Sequence, residues 1–63
     1  MNRVVKILIE RDGMRRSEAI ELVQDVKRRI EEATADGDYE EAEMILESEL
    51  NLELDYMFDI LES

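Results

Sequence analysis

No proline interrupts this chain, and its two glycines, Gly13 and Gly37, fall where runs of three-and-four apolar spacing stop. A sequence so free of breakers is biased toward helices. Glycine just past a helix end takes a positive φ without steric cost, so both glycines read as helix terminators. Between them, over residues 17–35, Ala19, Leu22, Val23, Val26, Ile30 and Ala33 form one apolar stripe, and Glu21, Gln24, Arg28 and Glu32 fall opposite. An Asp25/Arg29 pair at i,i+4 adds support. The start of this helix is less defined, because Arg15 and Arg16 are poor caps and Ser17 comes late.

After Gly37, Asp38 is a good N-cap with Glu41 three residues on, an Asp variant of the capping box. A helix over residues 39–50 follows, with Tyr39, Ala42, Ile45, Leu46 and Leu50 as its expected buried stripe. Asn51 tolerates the left-handed conformation and is expected to end it, with Leu52 folding back as the hydrophobic contact. The short link to the preceding helix predicts antiparallel neighbours. Asp55 is a candidate cap for a terminal helix carrying Tyr56, Met57, Phe58, Ile60 and Leu61, and two turns of helix must dock to persist. Residues 3–9 are ambiguous. Val4, Ile7 and Leu8 suit a helix, whereas Val5, Ile7 and Ile9 alternate as a strand would. Helix is favoured, because a lone strand would need a partner from another chain.

The expected fold is therefore all-α, one domain over residues 1–63 with helices at about 3–12, 17–35, 39–50 and 56–62. We read it as an antiparallel helical hairpin with short flanking N- and C-terminal helices. A chain of 63 residues buries too little surface for a comfortable core, and without Cys or His it lacks disulfide and common metal staples. Self-association is the remaining device, so the expectation is a bundle completed by dimerisation.

Several runs resemble small acidic helical proteins of bacteriophages and mobile elements. They are Leu8-Ile9-Glu10-Arg11-Asp12-Gly13-Met14, Glu18-Ala19-Ile20-Glu21-Leu22-Val23, Asp36-Gly37-Asp38-Tyr39-Glu40-Glu41-Ala42-Glu43 and the closing segment from Leu50 to Leu61. Arg15, Asn51 and Leu54 depart from that pattern, where Ser, Gly and Pro would stand. The resemblance implies a helical fold and attaches no biochemical function.

Net charge is −10 and strongly segregated. All eight basic residues lie in the first 29 positions, which net +3, and residues 30–63 carry thirteen acidic groups and no basic one, a net −13. The acidic half repels phosphate, while the basic half could attract nucleic acid or the acidic half of another copy. Of the basic triplet Lys27, Arg28 and Arg29, Lys27 and Arg29 flank the stripe and are expected to pair across the hairpin with Glu41, Glu43 or Glu47. Glu49, which helical geometry points toward the stripe, is expected to escape near the helix end or to pair with Arg or Lys. Direct nucleic-acid binding is not expected, since no larger uncompensated basic patch or set of stacking aromatics accompanies the triplet.

Composition removes catalysis by His or Cys, and Ser17, Ser48 and Ser63 have no base of the usual kind nearby in sequence. Residues 32–43 align Gly37 and Glu43 with the sixth and twelfth positions of an EF-hand loop, yet Glu32 and Thr34 occupy the first and third. The same residues are accounted for by helix termination and capping. We therefore expect a non-enzymatic protein with no cofactor and no metal. The candidate contact face is Glu40, Glu43, Met44 and Glu47, in which a Met ringed by carboxylates lies outside the core stripe; the alternative is that Met44 packs beneath the first or last helix. The expected partners are a second copy and an unidentified protein, with an acidic nucleic-acid mimic as the alternative. No segment has the roughly 20 apolar residues of a membrane span, and the opening residues are too short and charge-interrupted for a signal sequence, so a cytoplasmic location is expected.

Overall fold

The computed structural model describes residues 2–62, and every described element is helical. Helix α1 spans Arg3–Asp12, α2 spans Arg16–Ala35 and α3 spans Tyr39–Ile45. A π-helical turn, Leu46–Leu50, continues α3, and a 3₁₀ turn, Leu54–Tyr56, leads into α4, Met57–Leu61. Among the described residues no helix is long and apolar enough to cross a membrane. Residues 3–9 are helix, so the strand alternative falls.

The long helix α2 is the spine on which the others pack. At 1.5 Å per residue its 20 residues span about 30 Å, close to the 33 Å longest dimension of the molecule. Its stripe behaves as the spacing predicts: Ala19, Val23, Val26, Ile30 and Ala33 are buried and Leu22 is half-buried against them. From α1 come Val4, Val5 and Leu8, from α3 and its π turn Ala42, Ile45, Leu46 and Leu50, and from the C-terminal segment Leu52 and Ile60. These make one continuous core. The apolar residues of the first and last segments are thus covered largely within a single chain.

Helix ends account for much of this arrangement. Asn2 caps α1, its Oδ1 accepting from the Val4 N–H at 2.7 Å. Its Nδ2 donates to the Asp59 carbonyl at 2.7 Å, so one side chain caps α1 and fastens α4 to it. Gly13 (φ 67°) and Gly37 (φ 78°) end α1 and α2 in the left-handed region. At Gly37 the Asp38 N–H reaches the Ala33 carbonyl and the Gly37 N–H reaches that of Thr34, a complete Schellman turn. Asn51 (φ 52°) closes the π turn, with Leu52 buried beside it.

Five sequence expectations need correction. Tyr39 is 65% exposed, because it is the first residue of α3, where the helix leaves the turn before its stripe meets α2. Asp55 caps nothing: it lies inside the 3₁₀ turn, whose flanking residue is Glu53. Asp25 pairs with Arg28 at i,i+3 and not with Arg29. Helix α2 starts at Arg16, one residue early, where the Glu18 carboxylate accepts from the Arg15 N–H at 3.4 Å in place of a side-chain cap at Arg15. The capping box at Asp38 is half formed. Asp38 Oδ1 accepts from the Glu41 N–H at 3.1 Å, while the Asp38 N–H is taken by the Schellman turn.

Candidate functional site

Helix α3 presents two faces. Ala42, Ile45 and Leu46 turn onto α2, and Glu40, Glu43, Met44 and Glu47, spaced i, i+3, i+4 and i+7, all turn to solvent on the other side. Met44 is 65% exposed and does not pack beneath α1 or α4, so the sequence-derived candidates share one helix face with the thioether among the carboxylates. Tyr39 stands exposed at the edge of this face, one turn before Glu43. No Lys or Arg among the described residues pairs with Glu40, Glu43 or Glu47.

The cross-helix pairing falls on Glu49, one of the two outcomes expected for that residue, and not on the acidic residues expected for Arg29. Arg29 reaches Glu49, with Nη1 at 3.1 Å from Oε1, and not Glu41, Glu43 or Glu47. The π turn explains the choice. In a continuous α-helix each residue turns about 100°, which would bring position 49 round to the middle of the buried stripe and leave position 50 at its edge. A wider turn rotates each residue less. It therefore sets Leu50 into the core, 1% exposed, and leaves Glu49 at the boundary, where Arg29 meets it.

Between α2 and α3 lies an open cleft of about 230 Å³ lined by Arg29, Glu32, Ala33, Asp36, Glu41 and Ile45. Among the described residues no group of three or more His, Cys, Asp or Glu is placed to hold a metal ion. Ser17 and Ser48 are exposed, and Ser63 lies outside the described residues.

Two features of the surface were missed in sequence. Leu54, in the 3₁₀ turn, and Phe58, in α4, are 42% and 75% exposed. The signal was present: Tyr56, Met57, Phe58, Ile60 and Leu61 surround a helix of under two turns, which can bury only one side. The second is Arg11, whose guanidinium donates to the carbonyls of Leu50 (2.7 Å) and Asn51 (3.1 Å) and grips the Asp12 carboxylate through Nε and Nη2. The Arg11–Asp12 bonds hold the Asp12 carboxyl below its ordinary value and push the Arg11 guanidinium above its own. At the other end of α1, Arg3 lies 3.5 Å from Asp59 and stacks over the Tyr56 ring at 5.0 Å. With Arg11 at residues 50 and 51 and Arg3 at residues 56 and 59, the C-terminal segment runs back along α1.

No protein-family model matches this chain, and no curated protein or solved structure matches it.

Proposed function

We propose that this protein is a non-enzymatic interaction or assembly module that self-associates and offers an acidic surface to a protein partner. The observation that carries the reading is the outer face of α3, where Glu40, Glu43 and Glu47 surround an exposed Met44 and receive no cation from the described residues. A polarizable thioether adapts to irregular apolar surfaces, and the surrounding carboxylates favour a basic partner while slowing acidic ones. The antiparallel pairing of α2 and α3 in a hairpin, capped at Gly37, would hold that face rigid. Self-association is not needed to cover α1 and α4, whose inward residues already lie in the core. Its support is the apolar surface left outside, at Leu54 and Phe58.

The test replaces Met44 with photo-methionine and crosslinks the protein in a lysate of its source cells. A discrete crosslinked protein that disappears in the Glu40→Lys/Glu43→Lys/Glu47→Lys variant supports the reading. Crosslinks that persist in that variant overturn it.

A second reading, an acidic mimic of nucleic acid, is favoured by the thirteen acidic groups without a basic one after position 29. It requires a salt-sensitive complex with a DNA- or RNA-handling protein that free nucleic acid displaces. A crosslinked partner indifferent to added DNA and RNA removes it.

A further inference from the structure

We propose that residues 54–62 form a strap that opens and closes as one unit about a joint at Glu53, while α1, α2 and α3 with its π turn stay folded. The proposal does not depend on self-association. The strap is the 3₁₀ turn and α4 together, three and five residues long, and helices so short persist only by docking. Its hold is slight. Among the described residues, Ile60 is the only buried side chain it supplies. Tyr56, Met57 and Leu61 are partly buried against the core, and Leu54 and Phe58 are largely outside it. The polar ties gather on the first residues of α1. Asn2 Nδ2 donates to the Asp59 carbonyl, and Arg3, its side chain 69% exposed, meets the Asp59 carboxylate and the Tyr56 ring. An ion pair so open to solvent adds little.

What stays behind is complete without the strap. Asn2 Oδ1 caps α1 through the Val4 N–H, a bond separate from the Nδ2 tie. Arg11 holds the carbonyls of Leu50 and Asn51, and Leu52 is buried just beyond them, so the chain is fixed up to that point. Glu53 follows, exposed and extended at φ −72° and ψ 160°, outside any helix. A pivot there breaks no helical hydrogen bond of α1, α2 or α3. The α2 stripe keeps the buried residues of α1, α3 and the π turn as partners. Segments poor in buried contacts open at a lower free energy than the core they rest on. Because α4 lies against both α1 and α2, opening bares apolar surface of both. The strap is thus a cover, and the surface beneath it is presented only in the open state.

The chain has no cysteine, so one introduced thiol reports its own exposure. The full chain carries Ile60→Cys in the strap, Leu52→Cys before the joint or Ile30→Cys in α2. Each is treated with a thiol reagent under conditions where closing outpaces labelling. Ile60→Cys should label roughly thirtyfold or more faster than Ile30→Cys. Gly37→Ala, whose added Cβ meets nothing within 4 Å, weakens the α2–α3 turn alone. It should speed Ile30→Cys and Leu52→Cys roughly fivefold and leave Ile60→Cys unchanged. If Ile60→Cys speeds up with the others, the strap opens only by global unfolding and the proposal falls. If Leu52→Cys instead follows Ile60→Cys, the joint lies upstream and Glu53 is overturned as the pivot. Ile60→Cys itself removes core volume, so amide hydrogen exchange is also read on the cysteine-free chain, with and without Gly37→Ala. The Tyr56 and Glu62 N–H groups, bonded to the Glu53 and Phe58 carbonyls near the two ends of the strap, should share one opening equilibrium that Gly37→Ala leaves unchanged. Protection at Tyr56 far above that at Glu62 would mean fraying from the chain end and would overturn opening as a unit.

Discussion

Arg11, in the last turn of α1, donates from Nη2 to the main-chain carbonyl of Leu50, 39 residues away, at 2.7 Å. The final carbonyls of a helix have no partner within it, and a cation there also meets the negative end of the helix dipole. With its second bond to Asn51 at 3.1 Å, Arg11 satisfies the end of the α3 extension and pins it to α1.

Replacing Arg11 with Ala is expected to destabilise the fold by about 1–2 kcal/mol, the scale of charge-assisted bonds reduced for a partly exposed site. Lys should recover only part of the loss, since one ammonium cannot hold two carbonyls and a carboxylate in a planar fork. Thermal melts check this. A Lys variant as stable as wild type would show that charge alone matters at this position.

Asp12 makes that clamp sensitive to acid. Its carboxyl lies below the ordinary aspartate value because Arg11 hydrogen-bonds its ionised form. A depressed folded-state value contributes stability that is complete above the unfolded value, near 3.8, and is lost as pH falls through the folded one. Asp12→Asn should therefore lower the melting temperature slightly at neutral pH, and the gap to wild type should close below pH 3.8. A gap that stays constant with pH would mean that Asp12 acts by shape and not by charge.

Gly37 and Asn51 hold the same left-handed backbone with different side chains, at φ 78° and 52°. Nothing lies within 4 Å of where a Gly37 Cβ would stand, so Gly37→Ala carries a backbone cost alone, about 1 kcal/mol. Asn51→Gly should be neutral or stabilising by a few tenths of a kcal/mol, and Asn51→Val destabilising by about 1 kcal/mol or more. Urea denaturation of the three variants gives the order. Equal stability for Gly and Val at position 51 would rule out φ as the reason for Asn51.

The α2 stripe and the stops at Gly13, Gly37 and Asn51 were readable in sequence because each depends on a residue's own chemistry or on spacing within one helix. What escaped depends on distant chain segments meeting. Asn2 is a recognisable cap, but its bond to the Asp59 carbonyl follows only from α4 lying along α1. The carbonyls that Arg11 holds are main chain and leave no mark in composition. Tyr39 looked buried because a periodic stripe does not say where its packing partner ends. The face Glu40, Glu43, Met44 and Glu47 was legible as a face because one helix carries it. The exposure of Phe58 was not legible because five apolar residues on so short a helix do not reveal which one stays outside.

The π turn can be tested through Glu49. In a regular α-helix position 49 would turn toward the stripe of Ala42, Ile45 and Leu46, where an unpaired carboxylate is costly. The widened turn moves it to the boundary with Arg29 and brings Leu50 inward. If that cost sustains the turn, Glu49→Leu removes the reason for it. Residues 46–50 should then relax to α geometry, and the Leu50 methyls should lose core contacts. Glu49→Gln, still polar, should keep the turn and lose under about 1 kcal/mol with the half-exposed ion pair. Carbonyl chemical shifts and sequential amide contacts over residues 45–51 report the difference by NMR. A π turn that persists in Glu49→Leu would instead assign it to the pull of Arg11 on the Leu50 and Asn51 carbonyls, and Arg11→Ala in that background should then release it.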